Sequence, residues 1–310
     1  MSAQQEITSD DASYHLPVLL QETIELLAIR ENGIYVDCTF GGGGHARAIL
    51  NQLGPSGRLI AFDQDADARQ NAPDDSRLLF IPQNFRHLHR FLRLHEIDAV
   101  DGILADLGVS SHQFDEASRG FSYRFDAPMD MRMDQRQAKK ATDILLGFSE
   151  QQLHKLFEQY GEVTNARTLA RTIVAHRSRM PMDTIHQFRQ AVQEIVKGNP
   201  NKYFAQVFQA LRMEVNDELG ALQELLEQSV RVLKPGGRVA IITFHSLEDR
   251  MVKQFFKTGT TDTPETDTLF GGTAPSPFEL VNKKPVVAGA NELKKNGRSR
   301  SAKLRVARKK

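Results

Sequence analysis

The stretch IYVDCTFGGGGHARAILNQL, residues 34–53, decides the fold class. Its first seven residues are an apolar, strand-forming run; its last nine carry alanine, isoleucine and leucine at helical spacing; the glycines Gly41 to Gly44 join the two. A strand delivered into a helix through glycine is the opening unit of a parallel sheet with helical crossovers. Glycine lets the backbone take left-handed dihedrals and approach a ligand closely. The helix that follows aims its free N–H groups at whatever lies over the loop.

Outward from this unit the alternation continues. RLIAFDQD (58–65), RLLFIP (77–82) and VDGILADLG (100–108) read as buried strands, with a short helix after Asp65 and a helical stretch over 85–95 between them. Upstream, residues 15–29 read as an amphipathic helix ended by Asn32-Gly33. Far downstream, Pro235-Gly236-Gly237 turns into another buried strand, RVAIITFHS (238–246), followed by a helix over 247–257. A turn-rich, mobile connection over 258–276 and a late strand within FELVNKKPVV (278–287) are expected. Continuous apolar strands of this kind are buried on both faces.

The pattern breaks between residues 115 and 210, where no buried strand is legible. GFSYRFDAPMDMRMDQ (120–135) reads as a polar, methionine-bearing loop, and 148–161, 165–178 and 183–196 as helices. The segment 203–233 is too long for one ordinary helix, so a break is expected near Asn216 or Gly220. The organisation expected is a sheet domain from 1–114 and 211–290, an inserted helical domain from 115–210, and a tail from 291–310.

Lys plus Arg number 40 against 39 for Asp plus Glu, a net charge of +1. The sum conceals a division: the last 20 residues hold nine basic side chains and one acidic, a net of +8, leaving −7 for the body. The tail reads as an arm suited to phosphates; a solubilising terminus is the plainer alternative. One cysteine, Cys38, excludes a disulfide framework and reads as buried in the first strand. There is no secretory leader pattern at the start and no apolar run of roughly 18 residues, so a soluble, cytoplasmic protein without membrane association is expected. His87, His89 and His95 show no metal-ligand spacing, and no metal is expected.

Asp63, twenty residues after Gly43, stands where the second strand ends. An acid there can accept both hydroxyls of a ribose, so a nucleoside-bearing cofactor is expected. Gly41-x-Gly43-x-x-Ala46 also fits the dinucleotide fingerprint, which keeps NAD as a rival; no Lys-Ser or Lys-Thr follows to make a P-loop. Ligands of open parallel sheets collect beyond the carboxyl ends of the strands. Three segments end there: Asp106 to Ser111, Asn84-Phe85, and Thr243 to Ser246 with Glu248 and Asp249 beyond it. Phe85 suits adenine stacking or the core, and Glu248 and Asp249 suit the site or a helix cap.

Together YHLPVLL (14–20), DCTFGGGGHA (37–46), DLGVSSHQFD (106–115), GFSYRFDAPMDMRMD (120–134), QALRMEVNDEL (209–219), FHSLEDRMVK (244–253) and SRSAKLR (299–305) resemble the bacterial ribosomal RNA small subunit methyltransferase H family, also called MraW. The likeness runs in order through nearly the whole chain. It implies a Rossmann-like class I S-adenosylmethionine-dependent methyltransferase sheet with an inserted helical subdomain for substrate recognition, acting on N4 of a cytidine in the decoding region of 16S ribosomal RNA. The partner it implies is the small ribosomal subunit or a late assembly particle; a homodimer is compatible with it. By resemblance Gly43, Gly44 and His45 line the methionine and ribose end of the cofactor, Asp63 takes the ribose hydroxyls, Phe85 lies against adenine, and Asp106 and Gln113 complete the pocket. Cys38, and Thr243 where many relatives carry serine, are departures that remove no functional group.

For the chemistry, Asp106 or a backbone carbonyl beside it is the expected acceptor for the amine. Many amino-methyltransferases place an Asp/Asn-Pro-Pro-aromatic motif there, and this chain has Asp-Leu-Gly-Val. Asp130, Arg132, His245 and Glu248 are second candidates for base placement or proton handling. Phosphate contacts are expected from the helix face with Arg167, Arg171, Arg177, Arg179 and Arg189, from Arg132, and from Lys303 and Arg305 of the tail. Two other functions compete: an NAD-dependent oxidoreductase, for which Tyr160 and Tyr203 lack a lysine four residues on, and a non-catalytic RNA-binding or ribosome-assembly protein.

Overall fold

The computed structural model describes residues 17–261 and 275–310; the start read as lacking a leader and most of the 258–276 connection lie outside the described residues. The apolar runs form five parallel strands: β1 (Ile34–Asp37), β2 (Arg58–Phe62), β3 (Leu78–Ile81), β4 (Val100–Asp106) and β5 (Leu233–Thr243). With β6 (Phe278–Leu280) and β7 (Lys303–Lys309) they make a seven-stranded sheet ordered β3-β2-β1-β4-β5-β7-β6, in which β7 runs antiparallel to both neighbours. The order reverses between β1 and β4. That switch point opens a crevice at the carboxyl ends of these two strands, where Asp37 and Asp106 stand.

Both faces of the sheet are covered, as the unbroken apolar strands require. On one face Val36, Ile60, Ile103 and Ile241 pack under the helices Leu88–Leu94, Glu218–Val232 and Ser246–Thr258. On the other, Tyr35, Leu59, Leu104 and Ile242 pack under Leu20–Leu27 and Gly44–Gln52. A third core belongs to the insertion, built wholly from residues between Phe121 and Val215. The loop read as polar over 120–135 contributes to it: Met129 and Met131 are fully buried and Met133 nearly so, their alternate spacing pointing one side of an extended segment into the helices. The long helical segment breaks at Asp217, whose left-handed φ of 47° separates Pro200–Asn216 from Glu218–Val232.

The reading of 291–310 as a free basic arm is corrected by the structure. Lys303 to Lys309 are β7, inserted between β5 and β6, with Leu304, Val306 and Ala307 fully buried. Arg305 is buried with them and forks onto Asp249 at 2.6 and 3.2 Å, and Lys303 reaches the same carboxylate at 3.2 Å. Net charge is blind to this because a strand alternates its faces every residue. The late strand expected over 278–287 is present as β6 and one further bridge, Val286 to Leu304. Before β5 the glycine turn becomes a bulge inside the strand: Leu233 pairs with Val100 and Arg238 with Gly102, with Gly236 at a φ of 80° between them.

Candidate active site

One large cleft, about 1700 Å³, lies over the switch point. Its floor is the glycine loop. Gly41 and Gly43 hold positive φ values of 49° and 73°, and no side chain caps the helix that starts at Gly44, so its first N–H groups are left for a ligand. The loop is fixed from behind. Asp63 Oδ2 accepts from the Gly41 N–H at 2.7 Å and Oδ1 from the Asp65 N–H at 2.8 Å; Asn71 Nδ2 donates to the Gly41 carbonyl and Arg47 to that of Gly42. Gly43 is glycine for packing as well as φ, since a Cβ there would lie 2.8 Å from the Phe40 ring, and one on Gly44 would overlap Pro17.

Burial raises the Asp63 carboxyl to about 6, against which the two amide hydrogen bonds act. Burial likewise raises Asp37 to about 7 and lifts Asp106 well above the usual carboxylate range, with Asp37 and Glu248 adding repulsion at Asp106. Asp106 donates its backbone N–H to Thr39 Oγ1 at 2.6 Å, while its Oδ1 is buried without a hydrogen-bond partner. Its Oδ2 lies 3.8 Å from His45 Nδ1. His45 Nε2 is 3.1 Å from the Val18 carbonyl, which assigns the ring proton to Nε2 and turns the Nδ1 lone pair toward Asp106. Burial lowers His45 to about 4, so the ring is neutral. An uncharged imidazole thus faces a carboxyl whose charged form burial disfavours, and Asp106 lines the cleft with its Oδ1 buried and unpaired.

Gln113 closes the floor through a role local sequence does not show. It is the third residue of the short helix Ser111–Asp115; its Oε1 accepts from the Ser110 N–H at 3.1 Å, and Ser110 Oγ accepts from the Gln113 N–H in return. Its Nε2 donates to Asp65 at 2.7 Å, and Asp65 meets Arg119 at 2.8 Å in an ion pair that is almost completely buried. Arg119 also holds the carbonyls of Arg132 and Met133, tying the sheet to the insertion. Neither Asp65 nor Arg119 stands out in the sequence; the one hint is that Asp65 lies two residues past Asp63.

Phe85 lines the cleft beside Asn84, on the short turn Phe85–His87. Asp130 also lines it, but the Arg132 guanidinium engages both its oxygens at 2.8 Å. Burial works against that carboxylate's charge, and the Arg132 fork still holds it below the ordinary range. The structure therefore corrects two readings at once: Asp130 is a committed ion-pair partner rather than a proton acceptor, and Arg132 is spent on it rather than on RNA. His245 faces a separate, smaller cavity of about 230 Å³ and caps the helix Ser246–Thr258, its Nδ1 accepting from the Glu248 N–H. Its Nε2 is 3.1 Å from Glu248 Oε1. Glu248, not His245, reaches the main cleft.

The expected phosphate contacts disperse. Arg177 donates to the carbonyls of Leu145 and Phe148, Arg305 is buried on Asp249, and Lys303 shares that carboxylate; Arg171 is exposed and 3.9 Å from Glu150. Basic side chains at the cleft mouth come instead from Arg124, Lys295, Arg298 and Arg300. Glu218, His245 and Glu248 bring ligand atoms within 4.8 Å of one another. Arg212 forks Glu218 at 2.7 and 2.9 Å, however, which makes the group an ion-pair network.

A family model described as the MraW methylase family matches residues 12–310. The chain belongs to the MraW methylase family. It is 49% identical over 302 residues to Ribosomal RNA small subunit methyltransferase H of Bacteroides fragilis, covering 97% of this chain and 99% of that one. It is 51% identical over 301 residues to the protein of the same name from Parabacteroides distasonis, covering 96% and 98%. Among solved structures, TrmN from Thermus thermophilus aligns with 94% of this chain and 48% of its own at 16% identity and a TM-score of 0.42. Membership of the MraW family makes the chain an S-adenosylmethionine-dependent methyltransferase of the Rossmann-like class I fold. The residues fit that cofactor: a glycine loop with uncapped amides, an acid at the end of β2 and an orphaned carboxyl oxygen at the end of β4. Among the described residues no helix is long and apolar enough to cross a membrane.

Proposed function

We propose that this MraW protein methylates N4 of a cytidine in the decoding region of 16S ribosomal RNA, acting in the cytoplasm on the small subunit or a late assembly particle. The observation that carries the reading is the make-up of the large cleft: an acidic, glycine-lined floor at the switch point and a basic, aromatic mouth formed by Phe114, Arg124, Arg298 and Arg300. A small-molecule methyltransferase has no use for the second half. S-adenosylmethionine bound on the floor supplies a sulfonium methyl whose leaving group departs as a neutral thioether.

The chain's task is then to hold the amine in line and accept its proton. Gly43, Gly44 and His45 hold the methionine end, Asp63 the ribose through the lone pairs its amide contacts leave free, and Phe85 the adenine face. Asp106, recessed at the end of β4, offers its carboxylate to the N4 hydrogens. A carboxyl oxygen there draws the amine lone pair out of conjugation with the ring, and alignment at near-attack distance lowers the barrier further. Extruding the base into the cleft is cheapest from structured RNA with unstacked nucleotides.

The test is methyl transfer from labelled cofactor to small-subunit particles and to naked 16S RNA, followed by nucleoside analysis. N4-methylcytidine is the expected product; binding without transfer would favour an assembly factor. Asp106→Asn should bind cofactor and lose most turnover. Full transfer by that variant removes Asp106 from the amine-acceptor role.

A further inference from the structure

The mouth of the cleft contains a feature that cofactor binding does not use. Phe114, half-buried on the helix Ser111–Asp115, has the Arg298 guanidinium 5.1 Å from its ring centroid and that of Arg124 at 6.0 Å. Arg298 donates to Asp115 at 2.9 Å, and its Nη1 is buried without a hydrogen-bond partner. The turn Gly297–Ser301 that presents it is anchored from below: Ser299 is buried and donates from Oγ to the Asn296 carbonyl at 2.7 Å, and Asn296 Oδ1 accepts from the Arg298 N–H. Arg300 projects from the same turn, exposed and without an ion-pair partner among the described residues. Two segments far apart in sequence thus meet over the cleft with a planar cation held over an aromatic ring.

We propose that Arg298, oriented by Phe114 and Asp115, is a stacking platform for an RNA base next to the methylated nucleotide, and that Arg300 takes the adjoining phosphate. The proposal rests on the RNA-methyltransferase reading. A guanidinium already held over an aromatic ring and tied to a carboxylate loses little freedom when a base stacks on it. The ammonium of a lysine is charged but has no plane to offer, so charge and stacking are separable by substitution.

The experiment measures RNA affinity and methyl transfer of the full chain with a decoding-region 16S fragment, and cofactor affinity separately. Arg298→Ala and Arg298→Lys should both weaken RNA binding by on the order of ten-fold, with unchanged S-adenosylmethionine affinity and melting temperature. Arg300→Ala should flatten the dependence of log Kd on log salt by about 0.7, one single-strand phosphate contact. Wild-type affinity in Arg298→Lys would reduce the residue to a point charge and overturn the platform. Weakened cofactor binding in Arg298→Ala would assign the residue to the cofactor pocket and overturn it too. RNA affinity is read directly, so wild-type protein that binds RNA but transfers no methyl would defeat the methyltransferase reading and leave this comparison intact.

Discussion

Asp249→Ala tests whether the C-terminal segment is a strand or an arm. Asp249 and Arg305 are 14% and 10% exposed at their side chains, and Lys303 completes the group. Removing one member of a buried, hydrogen-bonded pair leaves a charge without compensation, at a cost of about 3–5 kcal/mol; the residual exposure and the solvated Lys303 bring this to about 3. In Arg305→Ala the carboxylate keeps Lys303 at 3.2 Å, so the loss should be smaller, about 2 kcal/mol. The double variant strands neither charge and should be less destabilised than the sum of the two. For a chain of this size each kcal/mol moves the melting temperature by about 1.5 °C, so about 4–5 °C is expected for Asp249→Ala and about 3 °C for Arg305→Ala.

The pH dependence follows from the same group. Burial opposes the Asp249 charge, yet the Arg305 and Lys303 contacts hold its carboxyl below the ordinary range. Its stabilisation is therefore complete above the unfolded carboxylate value of about 4 and disappears as pH falls through the lower folded value. Urea unfolding of wild type and Asp249→Ala should converge below that range and diverge above it. RNA affinity at a temperature where both variants are folded is the second readout, and it should not change. An Arg305→Ala protein as stable as wild type, with weakened RNA binding and a flatter salt dependence, would refute the strand account and restore the arm.

Four further outcomes are expected. Burial raises Asp63 to about 6 and Asp37 to about 7 in the folded chain, so apo-protein stability should be greatest in mild acid and fall as pH rises through about 6 to 7. Cationic S-adenosylmethionine favours the ionised acids, so its affinity should rise over that range relative to its neutral thioether product; a pH-independent ratio in isothermal titration would contradict the raised Asp63 and Asp37 carboxyls. Arg119→Met strands buried Asp65 and should cost about 3 kcal/mol in urea unfolding, with weakened cofactor binding because Gln113 loses its anchored partner. Gly43→Ala forces a Cβ toward Phe40 at a positive φ; a loss of about 1–2 kcal/mol with a larger fall in cofactor affinity checks it by calorimetry.

The parallel strands were legible because each is a continuous apolar run, and their order made the switch point the place to look. β7 was not, because its charges at Lys303, Arg305, Arg308 and Lys309 outnumber Leu304, Val306 and Ala307, and only the alternation marks it as a strand. Its partners are equally invisible locally: Asp249 lies 56 residues away and became legible only as a helix-cap candidate. The Asp65–Arg119 pair failed for the same reason, since a buried ion pair across 54 positions leaves no trace in periodicity. Glycines and acids at strand ends carry their reasons in the sequence; contacts across the fold do not.

The division of charge along the chain then takes on a different meaning. An acidic body and a basic terminus suggest an arm left for RNA only if the two ignore each other. Here Arg298 meets Asp115, Lys303 and Arg305 meet Asp249, and Arg308 meets Glu279, so much of the basic surplus neutralises the body that carries the opposite sign. Among the described residues Lys294, Lys295, Arg300, Lys309 and Lys310 of the tail have no ion pair, and of these Lys295 and Arg300 stand at the cleft mouth. Folding the tail into the sheet thus holds two of these uncompensated charges beside the place where a phosphate backbone must pass for a base to reach Asp106. A freely moving arm would spread the same charge over solvent; a tail anchored by β7 between β5 and β6 fixes Lys295 and Arg300 beside the site.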